Sequence, residues 1–157
     1  MQFKDIYGYD DLKKGLIQSV IENRVSHAQL FFGAEGSAKL ALALAYAQFV
    51  SCQRREADDS CGVCPSCRKY SQLMHPDLHF IYPVATTKEV DKKPKSTDFI
   101  AAWRDLILKT HAIFSIQDWY NAAGITENKQ AIINTEDAGE VVRTLSYKSY
   151  ESEYKVL

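Results

Sequence analysis

The sequence lacks an excess of either charge, which argues against a protein that binds nucleic acid by itself. Its 157 residues include 19 Lys and Arg and 20 Asp and Glu, for a formal net charge of −1. The isoelectric point is about 6.4, whereas such a domain normally has a strongly basic surface. Any contact with DNA is therefore expected to be local or shared with partner chains.

Long hydrophobic runs and internal repeats are absent as well. No apolar run approaches the roughly 18–20 residues that a membrane-spanning helix needs, and no N-terminal segment has the pattern of a signal peptide. The apolar fraction of 46% and the charged fraction of 25% are ordinary for a globular protein. We expect a cytoplasmic protein with one main core and no membrane partner.

The few cysteines of the sequence are concentrated in one stretch. They follow the spacing C-x8-C-x2-C-x2-C, at Cys52, Cys61, Cys64 and Cys67. A C-x2-C step lets two thiolates converge on one ion, and Gly62 and Pro65 suit the tight turn and the helix start that follow. Four sulfur ligands leave no coordination position open. The spacing therefore predicts a structural Zn²⁺ site in an inserted module of residues 52–70.

Two alternatives to this site follow from the same residues. The cysteines could be free or disulfide-bonded, although nothing in the sequence indicates export to an oxidising compartment. His75 and His79 could replace a cysteine ligand, but four cysteines already complete a tetrahedral shell. Each histidine is expected to be an ordinary polar residue at the entrance of a strand.

A loop with two glycines lies ahead of the cysteines. Triphosphate-binding loops follow G-x-x-x-x-G-K-[ST] between a strand and a helix, and Gly33, Gly36 and Lys39 belong to such a loop here. Ala38 replaces the second glycine, and its Cβ restricts the backbone where phosphate must approach. Leu40 replaces the Ser or Thr whose hydroxyl binds Mg²⁺. We predict poor or no ATP binding and no Mg²⁺ site; a coincidental glycine turn is the alternative.

Hydrophobic patterning places this loop in an α/β unit. Residues 28–32 and 78–84 are short apolar runs typical of buried strands, and residues 40–51 are apolar on every face, as in a buried helix. A strand, a glycine loop and a helix in this order form half of a βαβ unit. Residues 86–97 have no apolar period and indicate an exposed loop. Further helices are predicted at residues 11–23, 97–112, 116–123 and 135–147.

These motifs together resemble the N-terminal domain of the bacterial clamp-loader subunits of DNA polymerase III. His27 to Gly33 match the family's H-A-x-L-F-x-G strand, the four cysteines match its zinc module, and residues 75–78 match its H-P-D-L element. The resemblance covers about residues 3–84 and 131–157. It implies a P-loop NTPase (AAA+) fold, a three-layer α/β/α domain with an inserted zinc module. Residues 86–130 exceed the family pattern and form an insertion of unassigned role.

The degenerate loop is similar to that of the delta-prime branch, because gamma/tau subunits have an intact G-K-[ST]. This resemblance implies a non-hydrolysing subunit, with no catalytic residue of its own, in the DNA polymerase III holoenzyme, a nucleotidyltransferase of DNA replication. Its partners would be the gamma/tau and delta subunits and, through the ring, the sliding clamp and primed DNA. Residues 155–157 resemble the start of a strand. Residues 1–157 are therefore expected to be a partial AAA+ domain that ends before the Walker B strand is complete and self-associates through uncovered surfaces.

Two other functions follow from the same residues. A gamma/tau-type ATPase motor would need a metal-binding hydroxyl at position 40, where this chain has leucine. A zinc-bearing nucleic-acid-binding module would need clustered basic and aromatic residues. The lysines of residues 88–95 are the main basic cluster, and they are expected to lie in a solvated loop.

Overall fold

Helices dominate the computed structural model, which describes residues 1–126 and 128–157. Short 3-10 turns at Phe3–Asp5 and Ser96–Phe99 precede the first and fourth helices. Among the described residues, none of the helices has the length and hydropathy that a membrane crossing needs. Six α-helices form within this part of the chain: α1 Asp10–Ile21, α2 Lys39–Ser51, α3 Pro65–Ser71, α4 Ile100–Thr110, α5 Ile116–Ala123 and α6 Thr135–Ser146.

Helix α2 lies at the centre of the core. Its residues from Ala41 onward are almost all buried, as expected for a helix that is apolar on every face. Helix α1 packs on it through Ile17 and Val20, and α3 packs on it through Tyr70. Because α2 begins at the glycine loop and ends at the first cysteine, it fixes both candidate sites relative to each other.

Local signals explain where the other helices begin. Ser115 caps α5 by accepting a hydrogen bond from the Asp118 amide over 3.2 Å, and the Asp118 carboxylate accepts from the Ser115 amide over 2.8 Å. This reciprocal pair is a capping box. Asn134 caps α6, and Pro65 occupies the first position of α3. Such signals need only a few neighbouring residues, so the sequence predicts them well.

The two predicted strands do not form a sheet. The described part of the chain contains isolated bridges alone, a parallel one between Leu78 and Val156 and an antiparallel one between Val84 and Ile132. The predicted burial of residues 28–32 is wrong, since Phe31 is half-buried and the other four are exposed, Leu30 and Phe32 at 88% and 91%. A strand obtains its hydrogen bonds from a neighbouring strand, and the described residues provide none here. The three-layer arrangement therefore stays a prediction.

Residues 86–130 contribute the second half of the core. Trp103 of α4 stacks on Tyr82 with ring centroids 4.1 Å apart, and Trp119 of α5 meets Tyr82 edge-on at 4.9 Å. The Trp119 indole N–H donates to the Pro83 carbonyl over 2.8 Å. These contacts hold the α4–α5 hairpin against residues 82–84. Its turn consequently lies beside the glycine loop, where the Ile116 amide donates to Glu35 Oε1 over 3.1 Å.

Candidate metal centre and phosphate loop

Four cysteine side chains converge at the end of α2. Cys52 follows the last residue of α2, Cys64 caps the N-terminus of α3, and Cys67 lies in the first turn of α3. Cys61 comes from the connecting loop, where Gly62 has a φ of 70°, a conformation that favours glycine. The four sulfur atoms all lie within 4.8 Å of one another. The structure thus brings together every cysteine that the spacing predicts as a ligand.

Backbone N–H groups point at these sulfur atoms. The amides of Cys61, Cys64 and Cys67 each donate to the Sγ atom of the preceding cysteine of the cluster, over 3.4 Å in every case. Backbone donors, that of Val63 above all, lower the pKa of Cys61 to about 6. Burial raises the pKa of Cys67 and of Cys52 instead. A cation among the four sulfurs would stabilise the thiolate form of this buried pair.

The donor set fits Zn²⁺. Four sulfurs about 2.3 Å from zinc form a tetrahedron with edges of about 3.8 Å, and the Sγ atoms of Cys52 and Cys61 are 3.6 Å apart. All four cysteines are free rather than paired in disulfides. In the described part of the chain this cluster includes no histidine, and His75 Nδ1 accepts from the Asp77 amide over 3.1 Å.

The glycine loop, residues 33–39, is held together by its own residues. Lys39 is the first residue of α2, and its ammonium group turns back to donate to the Ala34 carbonyl over 2.8 Å. Gly36 has a φ of 73°, and a Cβ on Gly33 would lie 2.7 Å from the Ser37 hydroxyl. Gly36 therefore has a backbone that favours glycine, and a side chain at Gly33 would require the Ser37 hydroxyl to move. The lysine that would contact a phosphate already has a partner within the loop.

The two departures from the triphosphate pattern are packed against the core. Ala38 is buried at the start of α2, and the partly buried Leu40 contacts the core residues. Glu35 places a carboxylate in the loop. The free N–H groups at the start of α2 can attract an anion. Position 40 nevertheless offers Mg²⁺ no oxygen ligand, so the loop lacks the element that positions a metal–triphosphate complex.

A cavity of about 620 Å³ opens beside the glycine loop. Residues 36–38 form one wall, and Tyr7 and Tyr9 of the N-terminal segment form another; Leu73 and Ile107 also line it. Its described lining residues include one carboxylate, from Asp5, and one imidazole, from His111, but no lysine or arginine. The cavity therefore suits an apolar or aromatic group better than a phosphate.

Sequence reasoning missed two buried carboxylates that hold distant segments. Asp77 accepts hydrogen bonds from the amides of residues 150–152 over 2.5–2.9 Å. Burial would raise the pKa of Asp77, but these donors outweigh burial and lower it. Asp59 accepts from the amides of Phe3 and Lys4. The H-P-D-L element drew attention to Asp77 without indicating its partners, and nothing in the sequence singled out Asp59.

The structure places a glycine loop before a buried helix and four clustered cysteines directly after it. Residues 8–157 match the family described as "DNA polymerase III, delta subunit", and the chain belongs to this family. The family is AAA+-like, which confirms that part of the predicted fold class.

Curated proteins with similar sequences are also named as subunits of DNA polymerase III. The delta' subunit of DNA polymerase III from Bacillus subtilis (strain 168) is 39% identical over 70 residues, 45% of this chain and 21% of that protein. The tau subunit from the same organism is 31% identical over 67 residues, 43% of this chain and 12% of that protein. The delta' subunit from Yersinia pestis is 33% identical over 89 residues, 57% of this chain and 24% of that protein.

These matches span about an eighth to a quarter of the relatives' length. The family match and the delta' relatives confirm the resemblance to the delta-prime type. A comparison with solved structures found no significant match.

Proposed function

We propose that this chain functions in a clamp-loader subunit of the delta-prime type, which helps to place the sliding clamp on primed DNA without hydrolysing ATP itself. Family membership and the delta' relatives support the subunit type. Leu40 carries the non-hydrolysing part of the proposal, because an aliphatic side chain packed against the core stands where a Mg²⁺ ligand is required. The gamma/tau and delta subunits are the proposed partners.

The four cysteines are proposed to hold Zn²⁺ as a structural ion. The support is the approach of four sulfurs to within 4.8 Å and the three N–H donors aimed at them. Bound zinc would cross-link the end of α2 to the start of α3, and its closed sulfur shell leaves no position for a substrate. One zinc per chain by elemental analysis is the expected result, and a metal-free native protein would contradict it.

A gamma/tau-type ATPase motor is the second candidate. The observation that favours it is the identity of 31% with the tau subunit of Bacillus subtilis (strain 168). A motor must hold Mg²⁺ at the triphosphate. The two candidates therefore differ in whether Mg²⁺ strengthens the binding of ATP.

Calorimetric titration of ATP with Mg²⁺ and with a chelator tests this difference. We expect the wild-type chain to show no Mg²⁺-dependent gain in affinity. Leu40→Thr adds a hydroxyl, and Leu40→Val is the control for the lost packing. If Mg²⁺ increases the affinity for ATP in the threonine variant alone, the hydroxyl is the missing Mg²⁺ ligand. ATP turnover by the wild type faster than by Lys39→Ala would contradict our proposal and favour a motor.

Assembly with partner subunits tests the rest of the proposal. Mixed with gamma/tau and delta subunits, the chain should co-elute with them in gel filtration, with or without nucleotide. Separate elution of the chain under both conditions would contradict a role in the ring.

A further inference from the structure

A buried carboxylate fastens the N-terminal segment, residues 1–9, to the cysteine module. Asp59 is only 6% exposed. Its Oδ1 atom accepts from the Phe3 amide over 3.1 Å and from the Ser60 amide over 2.7 Å, and its Oδ2 atom accepts from the Lys4 amide over 3.0 Å. Hydrogen bonds to an ionised, buried acceptor are stronger than neutral ones. This side chain therefore holds the two segments together.

Ser60, the residue before the cysteine ligand Cys61, reinforces the connection. It is fully buried, and its carbonyl accepts from the Gln2 side-chain amide. Its hydroxyl accepts from Gln48 Nε2 of α2 over 2.9 Å. Gly62 is in contact with the same segment, because a Cβ there would lie 2.6 Å from Gln2 Oε1. Residues 59–62 thus form a seat for residues 2–4.

The other end of the N-terminal segment is fixed on α1. The Lys13 ammonium group donates to the Ile6 carbonyl, and the Lys13 amide donates to the Tyr9 carbonyl over 2.9 Å. Between these two anchors, residues 5–7 and Tyr9 line the cavity beside the glycine loop. The position of this wall therefore depends on the seat at residues 59–62.

We propose that the cysteine module positions residues 5–9 along the cavity beside the glycine loop, with Asp59 as the positioning residue. The inference rests on the proposed zinc site, because the ion fixes Cys61 and, through it, the neighbouring Ser60 and Asp59. The module then has a second role besides its own folding: it sets one wall of the cavity.

Hydrogen exchange measured by mass spectrometry on matched variants tests this role. In Asp59→Asn an amide N–H₂ replaces one acceptor oxygen, while Asp58→Asn makes the same change at the exposed neighbour. In Asp59→Asn we expect residues 2–9 to exchange about tenfold faster than in the wild type. Zinc content and the exchange of residues 61–71 should stay unchanged, and Asp58→Asn should match the wild type. Wild-type protection of residues 2–9 in Asp59→Asn would overturn the proposal.

Chelation of the wild-type chain separates this proposal from the metal proposal. Residues 2–9 and 59–62 should lose protection together when zinc is removed, and residues 2–9 that stay protected would overturn the positioning role. A wild-type chain purified without zinc would contradict the metal site and the idea that the ion positions residues 5–9. The Asp59→Asn and Asp58→Asn variants would still test whether Asp59 holds residues 2–4 in place. Should circular dichroism show Asp59→Asn unfolded, Gln2→Ala removes one bond of the same seat. Gln2→Ala should speed the hydrogen exchange of residues 2–9 by less than the tenfold expected for Asp59→Asn. Unchanged exchange in Gln2→Ala would refute the contact between residues 59–62 and residues 2–4 as the cause of this protection.

Discussion

At the scale of single residues, Asp77 shows how a buried charge organises a distant segment. Its carboxylate is fully buried and accepts three backbone N–H groups, those of Tyr150, Glu151 and Ser152. The Ser152 hydroxyl adds a fourth donor over 3.2 Å. The bridge between Leu78 and Val156 lies directly beside this cluster. Asp77 therefore supplies the acceptor that the N–H groups of this bend, which belongs to no helix or sheet, would otherwise lack.

Replacing this carboxylate should release residues 150–156. In Asp77→Asn we expect a loss of about 1–3 kcal/mol of unfolding free energy, since buried N–H donors lose their acceptor, and faster hydrogen exchange at residues 150–152. Asp91→Asn, at an exposed position, is the control. Because the pKa of Asp77 is lowered from 3.8, its stabilisation is complete above about pH 4 and is lost as the pH falls further. Unchanged exchange at these amides would refute this role of Asp77.

Two histidines make stability depend on pH in a higher range, His75, which is buried, and His79, which is half-buried. Burial lowers the pKa of His75 and of His79 from 6.5, and within the described residues neither Nε2 atom has a hydrogen-bond partner. Unfolded chains bind protons at these imidazoles near pH 6.5, and the folded chain binds fewer. The unfolding free energy should therefore fall below about pH 6.5, by up to about 1.4 kcal/mol per pH unit for each histidine.

Denaturant unfolding from pH 7.5 to 5 measures this dependence. His79→Gln should flatten the curve relative to the wild type, while His27→Gln, which changes an exposed histidine, should leave its slope unchanged. If the unfolding free energy of the wild type and of His79→Gln changed with pH in the same way, folding would not keep the His79 imidazole neutral.

At the scale of elements, the range over which a signal acts decides what the sequence could predict. Helix α5 begins as predicted because Ser115 and Asp118, three residues apart, cap its start, and it ends as predicted at Gly124, whose φ is 69°. The cysteine cluster is equally predictable, since its four residues lie within a span of sixteen residues. The partners of Asp59 and Asp77 lie more than fifty residues away. Residues 28–32 have the composition of a strand, but pairing depends on another segment that composition does not identify.

Helix α3 illustrates an element that would depend on the proposed zinc ion. Its seven residues are too few to be stable as an isolated helix, and two of the four cysteines, Cys64 and Cys67, lie at its start. Removal of zinc should therefore loosen residues 52–70 first, before α4 and α5 open. Hydrogen exchange with a chelator should show this order, and added zinc should restore the protection. Simultaneous opening of α3 and α5 would contradict a locally stabilising ion.

At the scale of the whole molecule, many large apolar side chains of the described residues are exposed, and two groups of them lie on short segments. One is formed by Leu30 and Phe32, and the other by Val142 and Leu145 of α6 together with Tyr147. Large exposed patches of this kind usually mark contact surfaces. The first surface differs from the second in its backbone: residues 29–33 belong to no helix or strand, and in the described part of the chain no other segment hydrogen-bonds to their backbone.

This difference predicts which surface mediates self-association. A segment with open N–H and C=O groups can pair as a strand with a second chain and cover Leu30 and Phe32 at the same time, whereas α6 has already satisfied its backbone internally. Light scattering should show association that rises with concentration, and Phe32→Lys should shift the chain towards the monomer. Val142→Lys, an equal change on the other surface, should associate like the wild type. A wild-type chain that stays monomeric at high concentration would contradict this prediction. A larger shift towards the monomer in Val142→Lys than in Phe32→Lys would assign the contact to α6. The pair of variants therefore separates strand pairing from simple apolar contact.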